Sequence, residues 1–197
     1  MLFRSLPVTV ATGSGKARTE FLEDLLFTHR GLSGPAVLQI STYWRPGTEL
    51  CFDFTPALHL GEALIDAKRT SRRQLGNQLA ELLPRRLADT WLALHQVPAE
   101  TPLAEVRDRD LIALARQLQH WRITPSGTEG YKKAEVTAGG VDTRELDSQS
   151  LQSKRVPGLH FIGEMVDVTG WLGGYNFQWA WASAAACGRA LMRATGQ

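Results

Sequence analysis

Glycine sets the limits on the last third of this chain. Nine glycines, at 127, 130, 139, 140, 158, 163, 170, 173 and 174, punctuate one short stretch. Glycine adopts left-handed backbone freely and loses the most entropy on folding, so such a concentration implies tight turns or close backbone approach. Within the stretch, Leu159-His160-Phe161-Ile162 is a short apolar run bounded by Pro157-Gly158 and by Gly163, the pattern of a buried parallel strand. Gly173-Gly174 then opens a segment from Tyr175 to about Thr195 with alanine at 180, 182, 184, 185, 186, 190 and 194. That composition predicts a helix built for close packing. A strand, a glycine loop and a helix in this order belong at the carboxyl edge of an α/β sheet, where ligands bind.

The same unit carries polar groups suited to a ligand. Gly163 would let the backbone approach a cofactor, and Glu164 and Asp167 offer acceptors for sugar hydroxyls. The free N–H groups of Gly174, Tyr175 and Asn176 at the helix start would hold an anion or a polarised carbonyl. A flavin suits this arrangement, because a helix N-terminus facing its N1–C2=O edge stabilises the negative charge of the reduced ring. On spacing alone, the residues serve equally as turn glycines and loop caps.

The preceding residues divide into two zones. Residues 1–60 mix strand-like runs with glycine and proline: Val8 to Thr12 alternates apolar and polar residues before a Gly13-Ser14-Gly15 turn, and Leu50 to Phe54 is a second strand. Between them, residues 34–40 form a short buried helix, with Pro35 in a first turn that needs no amide hydrogen. Residues 61–122 are helical. Leu75, Leu79, Leu82 and Leu83 make one apolar stripe, and Leu87, Trp91 and Leu94 resume it after Pro84. A further helix carries Leu111, Leu114, Ala115 and Leu118, with Asp108 as its N-cap. Two or three packed helices are expected here; Ser71-Arg72-Arg73-Gln74 has capping-box spacing, although a helix start near Gly61 fits equally well. Residues 123–197 return to strands and end in the glycine unit.

Composition narrows the function classes. The 197 residues are 43% hydrophobic and carry 22 Lys+Arg against 20 Asp+Glu, which describes a globular chain without a strongly basic footprint. The cations at 68, 69, 72, 73, 85 and 86 are offset by Glu62, Asp66, Glu81 and Asp89, so a solvated helix face and no nucleic-acid partner is the expectation. No apolar run is long enough for a spanning helix and no signal peptide is apparent, giving a cytoplasmic expectation with no membrane partner. Cys51 and Cys187 stand far apart without a metal-ligand pattern, so neither a disulfide framework nor a metal site is expected. Cys187 and His160 read as packing residues, and at most one of Trp179 and Trp181 points at a cofactor.

Three strings extend the reading. GEMVDVTGWLGGYNFQWAW at 163–181, THRGLSGPAVLQIS at 28–41 and KAEVTAGGVDTREL at 133–146 resemble the bacterial NAD(P)/FAD-dependent oxidoreductases of the aminoacetone-oxidase-like family, to which a bile-acid dehydrogenase-type reductase is related. The resemblance spans essentially the whole chain. It implies an FAD-dependent oxidoreductase that passes hydride between NAD(P)H, or a small organic substrate such as an amine or an enone, and the flavin. It further implies that Glu164 binds a ribityl hydroxyl, and that Asp167 is a second acid of the same loop. By the same resemblance Gly163, Gly173, Gly174, Tyr175, Asn176 and Gln178 face the cofactor, while Thr137, Gly139 and Gly140 form a turn near the ring. Thr28, His29, Gly31, Ser33 and Gly34 match a loop of the substrate domain, and His29 is the candidate proton donor.

One element of the pattern is missing. Such flavoproteins hold the ADP half of FAD on an N-terminal G-x-G-x-x-G unit, and Gly13-Ser14-Gly15 is followed by Arg18 where the third glycine belongs. The expected fold is therefore an α+β or α/β fragment: a β-rich substrate-domain piece (1–60), a helical insert (61–122), and the C-terminal strand–loop–helix of a Rossmann-like FAD domain (123–197). The alternative is a truncated, non-catalytic fragment or interaction module that does not bind FAD alone.

Overall fold

The structure, a computed structural model, describes residues 5–194 and Gly196. The chain forms two compact units, Met1–Ser126 and Gly127–Gln197.

The first unit is built on a five-stranded antiparallel sheet in the order β3-β2-β1-β4-β5. Its strands are β1 (Leu6–Thr12), β2 (Thr19–Phe27), β3 (Leu32–Ser33), β4 (Leu50–Asp53) and β5 (Trp121–Ile123). The alternation in β1 places Leu6, Val8 and Val10 in the core. Its other neighbour across the sheet, β4, buries Leu50 and Phe52 in the same way. Between β1 and β2 the chain reverses through Gly13, whose φ of +76° suits glycine; a Cβ there would sit 2.5 Å from the Ala17 carbonyl oxygen. The Gly13-Ser14-Gly15 segment thus closes a β-hairpin, pairing Leu6 with Leu25 through to Thr12 with Thr19. Helix α1 (Pro35–Ser41) starts as the sequence predicts, with proline in its first turn. Its N-cap Gly34 packs so close to β2 that a Cβ would lie 2.8 Å from the Asp24 carbonyl oxygen.

Four helices follow where two or three were expected: α2 (Leu60–Thr70), α3 (Leu75–Leu82), α4 (Arg85–Leu94) and α5 (Asp108–Gln119). They bury Leu60, Leu64, Leu79, Leu92, Leu111 and Leu118 in one cluster with Phe52 and Phe54 of the sheet side. Each such leucine contributes about 1.5–3 kcal/mol relative to an exposed one. Phe54 joins the two layers: its ring stands 5.5 Å from Trp91 of α4, edge-on at 82°, and 5.3 Å from Trp121 of β5.

Three local expectations are corrected here. Ser71 does not open a helix; it ends α2, and α3 begins at Leu75 after Gln74. Asp108 is the first residue of α5 rather than its N-cap, which is Arg107. Its carboxylate instead receives a hydrogen bond from Lys68 Nζ at 2.7 Å. Leu82 leaves the stripe for solvent, because α3 ends there while Leu83 turns inward. The run Thr19–Phe27, in which acidic residues interrupt the apolar ones, is a strand as well.

The second unit consists of loops, short 3₁₀ turns and one long helix, α6 (Tyr175–Ala194). Leu159–Ile162 does not form the anticipated parallel strand. The segment lies antiparallel beside residues 151–153, with Ser153 N–H donating to Leu159 O at 2.7 Å and Phe161 N–H to Leu151 O at 3.1 Å. Among the described residues this unit contains isolated bridges and no strand. An apolar run becomes a strand only when a neighbouring strand pairs with it along a continuous ladder. No helix among the described residues is long and apolar enough to cross a membrane.

Candidate functional site

The glycine unit of residues 137–178 is held together by backbone contacts that spacing alone does not show. The peptide of Gly163 is gripped by α6 from both sides. Its N–H donates to Ser183 Oγ at 2.9 Å, and its carbonyl accepts from Trp179 Nε1 at 2.9 Å. Ser183 is almost wholly buried, and its hydroxyl also donates to Ala180 O within the helix. Gly163 adopts φ +63° and opens a 3₁₀ turn to Met165, which leaves the Glu164 side chain exposed to solvent. Trp179 therefore spends its indole N–H on this peptide, which gives it a positioning role distinct from the stacking the sequence allowed.

The second glycine turn joins the first. Val141 N–H donates to Met165 O at 2.8 Å, and Asp167 N–H donates to Val141 O at 2.9 Å, closing a parallel bridge between Val141 and Val166. Gly140 makes the approach feasible: a Cβ there would lie 2.7 Å from Met165 O and 3.0 Å from the Asp167 nitrogen. Gly140 is thus brought against the Met165–Asp167 backbone, and Thr137, Gly139, Gly140, Glu164 and Asp167 are all exposed.

The start of α6 is fixed by Asn176. Its Oδ1 accepts from Gly170 N–H at 2.7 Å, and its Nδ2 donates to Gly170 O at 3.1 Å, so one amide side chain satisfies both polar groups of one residue. Gly173 and Gly174 have φ of +112° and +89°. The Gln178 N–H donates to Gly174 O at 2.9 Å, so the amides of Tyr175, Asn176 and Phe177 precede the helical ladder. A Cβ on Gly174 would meet nothing within 4 Å, and Tyr175 and Gln178 are exposed beside it.

Nearby electrostatics are local. Asp142, next to the glycine turn, accepts from the Arg144 side chain and from Arg144 N–H, and its carboxyl is held at about 2. The Ser150 hydroxyl and the Ser150 and Gln149 amides lower Asp147 in the same manner. Among the described residues, no three His, Cys, Asp or Glu side chains are grouped to hold a metal ion.

His29 belongs to the first unit. It is exposed on a turn closed by Thr28, whose N–H and hydroxyl donate to Gly31 O at 2.8 and 2.9 Å and whose hydroxyl oxygen accepts from Arg30 and Gly31 N–H. Ser33 lies in β3 and Gly34 caps α1.

Sequence reasoning missed Ser183 and the clamping role of the Asn176 side chain. The Ser183 contact spans twenty positions, and no local pattern announces it. The Gly170–Asn176 pair had a faint signal, a glycine and an amide either side of a Gly-Gly turn.

The comparisons with known proteins bear on this geometry. Residues 4–136 match the family model described as the HI0933-like protein barrel and H2TH domain. The chain is 50% identical over 192 residues to the ribosomal RNA dihydrouridine synthase of Escherichia coli (strain K12), covering 96% of this chain and 47% of that protein. It is 48% identical to the protein of the same name from Haemophilus influenzae (strain Rd), covering 96% and 46%. The 3-dehydro-bile acid delta(4,6)-reductase of Clostridium scindens is 30% identical over 177 residues, covering 85% and 43%. The chain spans about half the length of these curated relatives. With a barrel-and-helix model covering most of the first unit and enzyme relatives aligned across nearly all of the chain, this protein belongs to the HI0933-like family.

Proposed function

We propose that this chain is part of a flavin-dependent reductase that saturates a carbon–carbon double bond conjugated to a carbonyl, acting on uridine in ribosomal RNA. The observation that carries this reading is the 50% identity, over 96% of the chain, with a ribosomal RNA dihydrouridine synthase. The bile-acid relative supports the reaction class: a delta(4,6) double-bond system beside a 3-oxo group and the C5=C6 bond of uracil beside its C4 carbonyl are both electron-poor alkenes. The identity favours this chemistry over the amine oxidation of an aminoacetone-oxidase-like enzyme, and on this reading the whole protein's substrate is an RNA.

The donor set around α6 fits the ring and ribityl end of a flavin. Three amides precede the helical ladder behind an open Gly173-Gly174 turn, and their dipoles favour negative charge at a ring carbonyl. Glu164, exposed beside the pinned Gly163, would accept from a ribityl hydroxyl, with Asp167 on the same loop. Gly163 itself contributes room rather than hydrogen bonds, since α6 uses both its polar groups. When bound there, FAD would supply hydride drawn from NAD(P)H. Reduction puts a hydride on the β-carbon and a proton on the α-carbon.

The test is the dihydrouridine content of ribosomal RNA in the source organism. Deleting the gene removes a dihydrouridine, and a copy carrying Glu164→Ala restores it poorly; unchanged dihydrouridine after deletion overturns the proposal. A second reading, that the 197-residue chain alone retains no FAD, is favoured by its lack of G-x-G-x-x-G. Absorbance of the purified chain near 450 nm decides it, because stoichiometric yellow protein would refute it.

A further inference from the structure

The helical layer of the first unit carries its cations unevenly. Between Ala67 and Arg86 there are six lysines and arginines against one acid, Glu81. Lys68 and Arg69 are answered by Asp108 and Asp66, at 2.7 and 3.2 Å. Arg73 pairs with Glu81, both about half exposed. The Arg72 side chain is exposed and has no ion-pair or hydrogen-bond partner among the described residues. Arg72 and Arg73 border an open depression of about 590 Å³, whose remaining walls are Ala67, Thr70, Ser71 and Gln78. Further along, Arg85 at the start of α4 is answered by Asp89 at 3.0 Å and also donates to Asn77 Oδ1 of α3 at 2.9 Å.

The segment holding these arginines is stiff. Leu103 N–H donates to Arg73 O, Leu75 N–H to Thr101 O and Gly76 N–H to Ala99 O, each at 2.9 Å, and Gln74 bridges Pro102. Gly76 permits the contact, since a Cβ there would lie 2.9 Å from the Ala99 Cβ. A platform fixed in advance loses little entropy when it engages a ligand. The lining also says what the ligand is. Two guanidinium forks match phosphate oxygens, and hydroxyl and amide groups add neutral donors. A single alanine is the depression's one apolar side chain, so it lacks the buried aromatic or aliphatic anchor on which protein partners depend. Backbone contacts to a nucleic acid need only charge and donors.

We infer that this depression docks the phosphate backbone of RNA, with Arg72 and Arg73 each meeting a phosphate. The inference rests on the ribosomal RNA reading above and locates a surface for it. The Arg73–Glu81 pair is exposed, and a pair of that kind exchanges readily for phosphate.

The test is fluorescence anisotropy of a labelled RNA stem–loop of about 24 nucleotides, titrated with the 197-residue chain across a range of salt. Two lost phosphate contacts flatten the slope of log affinity against log salt by about 1.4–1.8, which is a loss of roughly 25- to 60-fold near 0.1 M salt. Arg72→Ala with Arg73→Ala should show that loss. Lys132→Ala with Lys133→Ala, an equal change in charge in the other unit, should stay within about threefold. Glu81→Gln, which releases Arg73, should raise affinity, an effect that misfolding would not produce. Equal losses from both pairs, or RNA binding indifferent to Arg72 and Arg73, overturn the surface while leaving the dihydrouridine experiment to judge the function. Failure of the wild-type chain to bind the RNA at low salt also overturns it. So does displacement of the RNA by poly-glutamate at equal charge, which would make the site one for acidic peptides.

Discussion

Replacing Ser183 by alanine removes one hydrogen bond from the clamp on Gly163 and leaves the shape of α6 intact. In the wild type, Ser183 Oγ accepts from Gly163 N–H at 2.9 Å in a nearly fully buried position. Its own bond to Ala180 O is dispensable, since that carbonyl lies within the helical ladder. The cost is therefore that of stranding the Gly163 N–H, about 1–2 kcal/mol. Alanine's better helix propensity returns up to roughly 0.5 kcal/mol. The net of about 1 kcal/mol corresponds to a fivefold change in a local opening equilibrium. Amide hydrogen exchange read by NMR reports that equilibrium directly. Gly163 protection should fall roughly fivefold in Ser183→Ala and be retained in Ser183→Thr, which keeps an acceptor. Trp179→Phe removes the bond on the other side of the same residue, so the double variant should depart from additivity by at least ~0.5 kcal/mol. If Gly163 exchanges at the same rate in Ser183→Ala, or the two substitutions add exactly as independent sites, the clamp does not operate.

Two further outcomes follow from the same unit. Gly140→Ala combines strain at φ +138° with a Cβ 2.7 Å from Met165 O. It should destabilise the Val141–Val166 bridge by about 2 kcal/mol or more, seen as faster exchange of the Val141 and Asp167 amides, and wild-type rates would count against the fit. Asp142 has its carboxyl lowered to about 2 by the Arg144 side chain. Because the folded value lies below the ordinary 3.8, the stabilisation it provides is complete above about pH 4 and disappears as pH falls through 2. A carbon-13 NMR titration should place Asp142 near 2 and Arg144→Gln should return it toward 3.8; the same midpoint in both proteins would mean that the pair is open in solution.

Local chemistry was legible wherever the chain needed no distant partner. Pro35 at a helix start, the alternation of Val8 to Thr12 and the alanine-rich α6 each declare their conformation within a few residues. Thr19–Phe27 does not, because Glu20, Glu23 and Asp24 interrupt its apolar residues and Leu25 alone is buried. Pairing with β1 along its length, rather than intrinsic preference, makes it a strand. Leu159–Ile162 errs the other way, with a strand-like composition and no sheet to receive it. At the candidate site, the glycine positions and Glu164 could be picked out from their order. The grip of Ser183 and Trp179 on Gly163 could not, since it depends on how α6 folds back over a loop twenty and sixteen positions earlier.

The sheet of the first unit ends in very short strands, two residues in β3 and three in β5. The β5 rim therefore offers only a few open main-chain groups, too few to template the addition of a strand from another molecule. On the other side β3 pairs only with Leu26 and Phe27, so no strand of the sheet covers the outer edge of β2 from Thr19 to Leu25. That edge is guarded by charge: Glu20, Glu23 and Asp24 interrupt it, and acidic side chains along a strand edge work against the addition of a further strand from another molecule.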